Sequence, residues 1–272
     1  MSIGADFPAG PAPTSEPFSR FVQETRGQTV RWLIHLRREP FAVLFALVQP
    51  VILLVFFGGA FQKVGAQLSP EGNYRTFLLP GILTLTVFGN SMSGGIPLLF
   101  DKENGFLARL IAAPVSRSSI LVSRFLTVNF VSTLQILVML GMSELFGVRV
   151  ATGIPGILLL IAIGLMLGLG LTVVSLVLAF RLTGHGDFFA LLGIITLPVT
   201  FLSTAFVPYE AMPRWMQLLA SLNPMTYAID AMRSLVDLGV FRGGLVLRCV
   251  AALVIFDVVM MFLGVRYLRR QL

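Results

Sequence analysis

The residues that could carry out chemistry are few and scattered along this chain. Cys249 is the only cysteine, and His35 and His185 are the only histidines. Because a zinc site gathers about four such ligands, no metal site is expected. A nucleotide-binding P-loop needs a Gly-x-x-x-x-Gly-Lys run followed by Ser or Thr, and neither Lys63 nor Lys102 stands in one. The sequence therefore predicts no catalytic site and no bound cofactor, and His185 is expected to be a solvated loop residue.

Asp257 is an acidic residue deep inside an apolar stretch. A charge there costs about 3 kcal/mol on insertion scales, so a proton relay and an interhelical hydrogen bond are the two interpretations. The absence of an ionisable neighbour at i±3 or i±4 favours the hydrogen bond. A proton- or sodium-driven transporter would normally show several such residues and inverted repeats, which makes that class the weaker hypothesis.

Composition indicates a membrane protein. The chain is 56% hydrophobic and 12% charged, with a mean hydropathy of +0.88, whereas a soluble domain needs a charged surface. The net charge of +7 could suggest a nucleic-acid partner. The basic residues lie between apolar runs, however, as topology signals do, so no nucleic-acid binding is expected.

Six apolar stretches are about 20 residues long, the length that crosses a bilayer. They are Phe41–Phe61, Phe77–Phe100, Phe125–Phe146, Ile157–Phe180, Phe188–Phe206 and Leu245–Val265. Lys and Arg concentrate on the cytoplasmic side of membrane proteins. With the N-terminus inside, 13 of the 20 Lys and Arg residues fall inside and 7 outside. The sequence predicts six spans in one domain, 18–272, with both termini in the cytoplasm.

The segment before the first span has two parts. Residues 1–17 are rich in Ala, Gly, Pro and Ser and are expected to be disordered; they lack the pattern of a cleaved signal peptide. From Phe18 to Leu36, apolar residues recur at steps of three and four, with basic residues elsewhere. This pattern predicts an amphipathic helix at the inner membrane surface, ended by Pro40. A helix packed on another protein is the alternative.

The inner loop Asp101–Arg117 carries a short apolar stripe that ends at Pro114. A short amphipathic helix between two spans suits docking into a groove of a soluble partner; the alternative is a helix resting on the membrane. The candidate docking residues are Glu103, Gly105, Phe106, Leu107, Arg109, Leu110 and Pro114.

Small polar residues in two spans are the candidates to line a transport pathway, since such residues permit close packing or line a polar route. They are Asn90, Ser91 and Ser93 in the second span and Thr200 and Ser203 in the fifth.

The outer segment Val207–Gly244 is too apolar for a solvated loop and too interrupted to span. It is expected to form short re-entrant helices, which are tolerated when they pack against protein or water. Asn223 followed by Pro224 predicts a helix start, and Asp230 and Arg233 stand one turn apart and can pair. Tyr227 belongs to the same segment.

Three motifs taken in order resemble one family. Leu79-Pro80-Gly81-Ile82, then Glu103-x-Gly105 with Leu110 and Pro114, then Leu222-Asn223-Pro224-Met225-Thr226-Tyr227 are similar to those of type-2 ABC transporter permeases, and most of all to drug-exporter permeases of the daunorubicin-resistance kind. The resemblance covers residues 20–270.

The resemblance implies a multi-pass subunit of the cell's inner (plasma) membrane that works as a homodimer among membrane lipids. Separate ATPase subunits, which bind ATP and Mg, would dock at the inner loop, the coupling helix of that family. The expected cargo is an amphipathic drug or lipid moved outward. A lipid-linked glycan is the alternative cargo, although the chain has few outer aromatic residues to line a glycan channel.

Overall fold

The computed structural model describes residues 17–38, 40–61, 74–112, 116–182, 184–237 and 243–271. Every regular element within these ranges is a helix. The α-helices are α1 (Pro17–Arg38), α2 (Pro40–Ala60), α3 (Tyr74–Met92), α4 (Ile96–Glu103), α5 (Phe106–Ala112), α6 (Arg117–Leu145), α7 (Gly153–Arg181), α8 (His185–Phe201), α9 (Arg214–Leu222), α10 (Pro224–Val236) and α11 (Gly243–Gln271). The predicted N-terminal tail lies outside the described residues, except that Pro17 is the first residue of α1.

In the part of the chain that the structure describes, four stretches of helix are long and apolar enough to cross a membrane. They are Tyr74–Glu103, Ser118–Leu145, Gly153–Arg181 and Gly243–Tyr267, at the predicted second, third, fourth and sixth spans. Shorter apolar helices, Leu44–Ala60 and His185–Phe201, stand at the predicted first and fifth. The chain is an all-α membrane protein, and six crossings stay a prediction.

Two predicted boundaries shift for local reasons. Helix α6 begins eight residues before the predicted Phe125, because the Ser116 side chain caps it by accepting a hydrogen bond from the Ser119 N–H. Helix α8 ends at Phe201, five residues before the predicted end at Phe206. Its last turn is closed by Asn223, whose amide donates to two carbonyls there.

The second span is interrupted where α3 meets α4. A 3-10 turn, Ser93–Gly95, separates the two helices, and Pro97 follows in the first turn of α4, where a missing N–H is harmless. Ser175 on α7 supports the break, because its hydroxyl accepts from the Gly95 N–H and donates to the Met92 carbonyl. The interruption thus keeps its backbone groups paired inside the membrane, as a bilayer requires.

The core lies around α3 and α10. Helix α3 contributes Leu78, Leu79, Ile82 and Leu83, all fully buried. Helix α10 packs against α3, α7 and α11, so that this part of the segment predicted to be re-entrant is buried inside the subunit. Helix α9, in the same segment, is largely exposed. Gly81 permits the close approach of the turn that follows α8, since a Cβ at this position would lie 2.5 Å from the carbonyl oxygen of Ala205.

Candidate functional site

Two adjacent charges at the end of α4 hold the connection between α7 and α8. Lys102 donates from Nζ to the carbonyl oxygens of Phe180 and Leu182, at 3.0 and 2.9 Å, where α7 ends. Glu103 accepts a 2.9 Å hydrogen bond from the backbone N–H of His185, the first residue of α8. Helix C-termini attract cations and N-termini attract anions. Lys102 therefore meets the C-terminus of α7 and Glu103 meets the N-terminus of α8, in each case the end that its charge favours. We call these two residues the charge clamp.

The His185 side chain strengthens the charge clamp. Its Nδ1 lies 3.0 Å from each carboxylate oxygen of Glu103, and its ring stacks on Phe100 with the centroids 5.5 Å apart. His185 is exposed, as expected of a solvated residue, but it begins α8 instead of lying in a loop, and its side chain contacts Glu103. No local pattern signals this contact, because the two partners are 82 residues apart in the chain.

Gly105 makes the turn from the charge clamp into α5. Its φ of +67° lies in the left-handed region, where a side chain would be strained. Its N–H bonds to the Lys102 carbonyl at 3.2 Å, as at many helix C-termini. Leu107 then packs into an apolar cluster that contains Leu98 of α4 and Phe188 of α8. These contacts fix how α5 lies against the ends of its neighbours.

Helix α1 contacts the start of α5 and the start of α6. On one side Arg31 pairs with Asp101 at 3.0 Å, and its guanidinium lies 4.6 Å from the ring centroid of Phe106. On the other side the Glu24 carboxylate accepts a 2.9 Å hydrogen bond from the Ser116 N–H. This bond lowers the pKa of Glu24 below its ordinary value. Glu24 therefore stays charged at neutral pH and holds the start of α6 to α1.

The outward side of α5 carries exposed residues, Ala108 and Arg109. Leu110 belongs to the helix, but its side chain and the whole of Pro114 lie outside the described residues. Of the predicted docking residues, Glu103, Gly105, Phe106 and Leu107 hold α5 in place, whereas Arg109 presents a charge on its surface. Sequence reasoning missed the contacts from α1 because they act across large chain separations.

The predicted pathway residues do not lie on one surface of the subunit. Asn90 and Ser93 lie on the wall of a cavity of about 990 Å³ between α1, α3, α4 and α6. The Asn90 amide also donates to two acceptors on α6, at 3.0 and 2.7 Å. Ser91 is fully buried between α3 and α7, while Thr200 and Ser203 stand at the end of α8. Of the five predicted pathway residues, Asn90 and Ser93 are the two that lie on the wall of this cavity.

Asn223 joins the ends of α8 and α10. Its Oδ1 accepts a 3.0 Å hydrogen bond from the Met225 N–H, and Pro224 takes the first position of α10, as the Asn-Pro pair predicts. Its Nδ2 donates to the carbonyls of Val199 and Leu202, at 2.7 and 2.9 Å. One side chain thus satisfies backbone groups at two helix termini.

A charged pair fixes α10 from its other side. Arg233 lies 3.4 Å from the Asp230 carboxylate and donates to the Thr204 carbonyl at 2.7 Å. Its guanidinium carbon lies 4.0 Å from the centroid of the Phe77 ring. The Thr204 hydroxyl in turn donates to Asp230 at 2.9 Å. Tyr227 donates to a carbonyl of α9 at 2.6 Å. The residues predicted for this segment therefore attach α10 to α3, to α9 and to the turn after α8.

We expect Asn223→Ala to lower the thermal midpoint of the purified protein in detergent. The change removes a helix cap worth about 1 kcal/mol, and leaving a buried carbonyl without its donor costs about 1–3 kcal/mol. Ser221→Ala is the matched control, because that hydroxyl only reaches back to Leu218 within α9. Equal midpoints for the two variants would contradict the role given to Asn223.

No group of three or more His, Cys, Asp and Glu side chains lies together in the part of the chain that the structure describes. Asp257 on α11 packs against Gly170 of α7, where an added Cβ would lie 2.5 Å from its Oδ1. The carboxyl group therefore lies at a helix–helix contact, but its Oδ1 has no hydrogen-bond partner among the described residues. The interhelical hydrogen bond stays a prediction. The polar and charged contacts described above thus form two groups. One is the charge clamp beside α5, and the other is the set of hydrogen bonds that attach α10 to its neighbours.

A family model described as ABC-2 type transporter matches residues 27–236, from within α1 to the last residue of α10. The match includes the charge clamp, α5 and α10. The chain belongs to the ABC-2 type transporter family. The resemblance expected from the three motifs is thereby confirmed, and helix α11 lies beyond the matched ABC-2 region.

Relatives of the ABC-2 type cover most of the chain. The putative transport permease ycf38 of Cyanophora paradoxa is 38% identical over 220 residues, which are 79% of this chain and 74% of the relative. The probable doxorubicin resistance ABC transporter permease protein DrrC of Mycobacterium tuberculosis is 30% identical over 82% of each chain. The daunorubicin resistance ABC transporter permease protein DrrB1 of Streptomyces coeruleorubidus is 27% identical, over 85% of this chain and 81% of its own.

Proposed function

We propose that the chain is the membrane-spanning permease subunit of an ATP-driven exporter. Separate ATPase subunits, which bind ATP and Mg, supply the energy, and the chain itself catalyses no reaction. The cargo is an amphipathic drug-like molecule or lipid taken from the cytoplasm or the inner leaflet. The observation that carries this proposal is the exposed surface of α5, which lies at a junction of five other helices in an ABC-2 family chain.

The contacts of α5 suit the transmission of movement. A soluble ATPase that displaces α5 must also displace α4 through Gly105, and with it the charge clamp on α7 and α8. It must displace α1 and the start of α6 through Arg31 and Glu24. Helices that are packed together and joined by charged hydrogen bonds move as units rather than deforming continuously. A push on α5 is therefore delivered to the ends of several spans at once.

The proposed topology has six spans, with α2 as the first and α8 as the fifth. Both termini and α5 lie in the cytoplasm, because 13 of the 20 Lys and Arg residues then fall inside. In the isolated subunit α1 exposes Phe18 and Val22, which do not line the cavity. An exposed apolar face on a basic helix suits the inner surface of the plasma membrane.

The working unit is proposed to be a homodimer. Exposed apolar side chains run along α2 and α8, among them Phe45, Ile52, Leu197 and Phe201. A two-fold interface joins the same patch on both subunits and can enclose a pathway without hollowing either one. Thr200, half-buried near the end of α8, is then the predicted residue best placed to reach it.

The relatives support an amphipathic cargo, since two of them are named for doxorubicin or daunorubicin resistance.

The energy source distinguishes an ATP-driven exporter from a proton- or sodium-driven transporter. We expect inside-out vesicles that contain the chain and its ATPase to accumulate doxorubicin or a fluorescent phospholipid when ATP is added. Vanadate should block this uptake. Uptake driven by an imposed proton or sodium gradient without ATP would contradict the proposal.

A further inference from the structure

The cavity of about 990 Å³ is bounded by α1 on one side and by α3, α4 and α6 on the other. This volume falls within the range of small-molecule sites. Much of its wall is apolar, and its lining includes Val30 and Ile34 of α1 and Val128 and Val131 of α6. Such a wall suits a hydrocarbon chain rather than a fully polar molecule.

The charges on the cavity wall are mainly positive. Among the described residues, Arg31, Arg38 and Arg124 lie on it together with one carboxylate, Asp101, so that the net charge of these four residues is +2. Arg124 is only 4% exposed and donates to the Gly94 carbonyl. A buried guanidinium beside an apolar wall favours a ligand that brings negative charge with it.

Arg31 has a buried hydrogen-bond donor that lacks an acceptor among the described residues. Its Nη2 pairs with Asp101, but its buried Nε–H has no acceptor among the described residues. Buried donors in folded proteins nearly always have an acceptor, so an orphaned one at a cavity wall points to a missing ligand or water.

We infer that this cavity binds an anionic lipid, with the headgroup at the three arginines and an acyl chain along the apolar wall. The net positive charge favours an anion over a cationic amphipath. The proposed orientation puts the cavity near the cytoplasmic leaflet, where anionic lipids are concentrated. The inference rests on that orientation for the source of the lipid, whereas the binding itself can be tested without it.

Trp32 provides a reporter inside the site. It lies on the cavity wall between Arg31 and Arg124, whose guanidinium carbons are 4.5 and 4.2 Å from its ring centroid. The other tryptophan, Trp215, is 63% exposed on α9. Trp215→Phe therefore leaves Trp32 as the single emitter. Bromine atoms on a lipid quench tryptophan fluorescence only at close contact.

The experiment reconstitutes Trp215→Phe protein in phosphatidylcholine vesicles and adds brominated phosphatidylglycerol or brominated phosphatidylcholine. The anionic lipid should half-quench Trp32 at a clearly lower mole fraction than the zwitterionic lipid. Equal mole fractions for the two lipids would overturn the inference. The titration needs neither ATP nor a partner, so its failure would leave the proposed function standing.

Arg38→Gln and Arg37→Gln form a matched pair of variants. Both arginines are exposed at the end of α1, but only Arg38 lies on the cavity wall. Arg38→Gln should raise the half-quenching fraction of the anionic lipid about tenfold, because it removes a charged hydrogen-bond donor from the site. Arg37→Gln should raise it by much less, because Arg37 contributes only to the general attraction of the surface. Equal shifts in both variants would show only general attraction of a basic helix to an anionic surface and would overturn the site.

Inorganic phosphate separates a lipid site from a simple anion site. Phosphate has no acyl chain, so millimolar phosphate should not restore Trp32 fluorescence in the presence of brominated phosphatidylglycerol. Recovery of the fluorescence with phosphate would contradict the assignment to a lipid.

Discussion

Glu103→Arg is expected to remove most of the permease-dependent stimulation of the ATPase while the protein still inserts into the membrane and folds. The change deletes the acceptor of the His185 N–H and places a cation at the N-terminus of α8, where the helix dipole disfavours it. The end of α4, from which α5 continues, then loses its hydrogen bonds to α8. ATP hydrolysis by the purified complex, with and without the permease, measures the effect.

The control is the same substitution at Glu144. This carboxylate stands at the far end of α6, is 65% exposed and lies 3.6 Å from the exposed Arg149. Isolated surface pairs of this kind contribute little, so Glu144→Arg should behave like the wild type. Normal stimulation by Glu103→Arg, or equal losses in both variants, would contradict the role assigned to the charge clamp.

Leu110→Asp places a charge in the predicted apolar stripe of α5 and should likewise abolish stimulation of the ATPase.

Gly81→Ala is expected to produce the largest loss of stability of any single-methyl change in α3. The new Cβ would lie 2.5 Å from the carbonyl oxygen and 2.9 Å from the Cα of Ala205. Both contacts are with backbone, so no side chain can rotate away. Overpacking of a tight core costs about 1–3 kcal/mol and occasionally more. The thermal midpoint in detergent, and the yield of monodisperse protein, should both fall.

Gly89→Ala is the matched control in the same helix. A Cβ at Gly89 would meet no atom within 4 Å, and alanine is the better helix former by up to about 1 kcal/mol. We expect an unchanged or slightly higher midpoint for Gly89→Ala. A midpoint as low as that of Gly81→Ala would show that methyl groups anywhere in α3 are harmful, and would contradict the specific contact with Ala205.

Local signals predicted much of the fold. Apolar length placed the long helices, Asn223-Pro224 marked the start of α10, and the one-turn spacing of Asp230 and Arg233 gave their pairing. Each of these depends on neighbours within a few residues. The end of α8 was set too late because the amide that closes it comes from Asn223, more than 20 residues downstream.

The clamp and the cavity could not be predicted for a related reason. Lys102 and its acceptor Phe180 are 78 residues apart, and Arg31 and Asp101 are 70 apart. Nothing in a local pattern tells which helix ends will meet. For Ser91 the residue type is a signal that the packing of one subunit does not match. Its polarity suggested a pathway residue, but the packing of α3 on α7 buries it completely. Its pathway role stays a prediction, and Asn90 and Ser93 now offer accessible positions to test it.

Site-specific photo-crosslinking from α5 in native membranes tests whether a separate ATPase drives this permease. A photoreactive residue replaces Ala108, which is exposed on α5, or Glu144, which is exposed at the far end of α6. The crosslinked products are then sequenced by mass spectrometry. We expect position 108 to yield a protein with a P-loop and position 144 to yield none. A P-loop protein crosslinked from 144 instead of 108, or products at 108 without any P-loop protein, would contradict ATPase docking at α5.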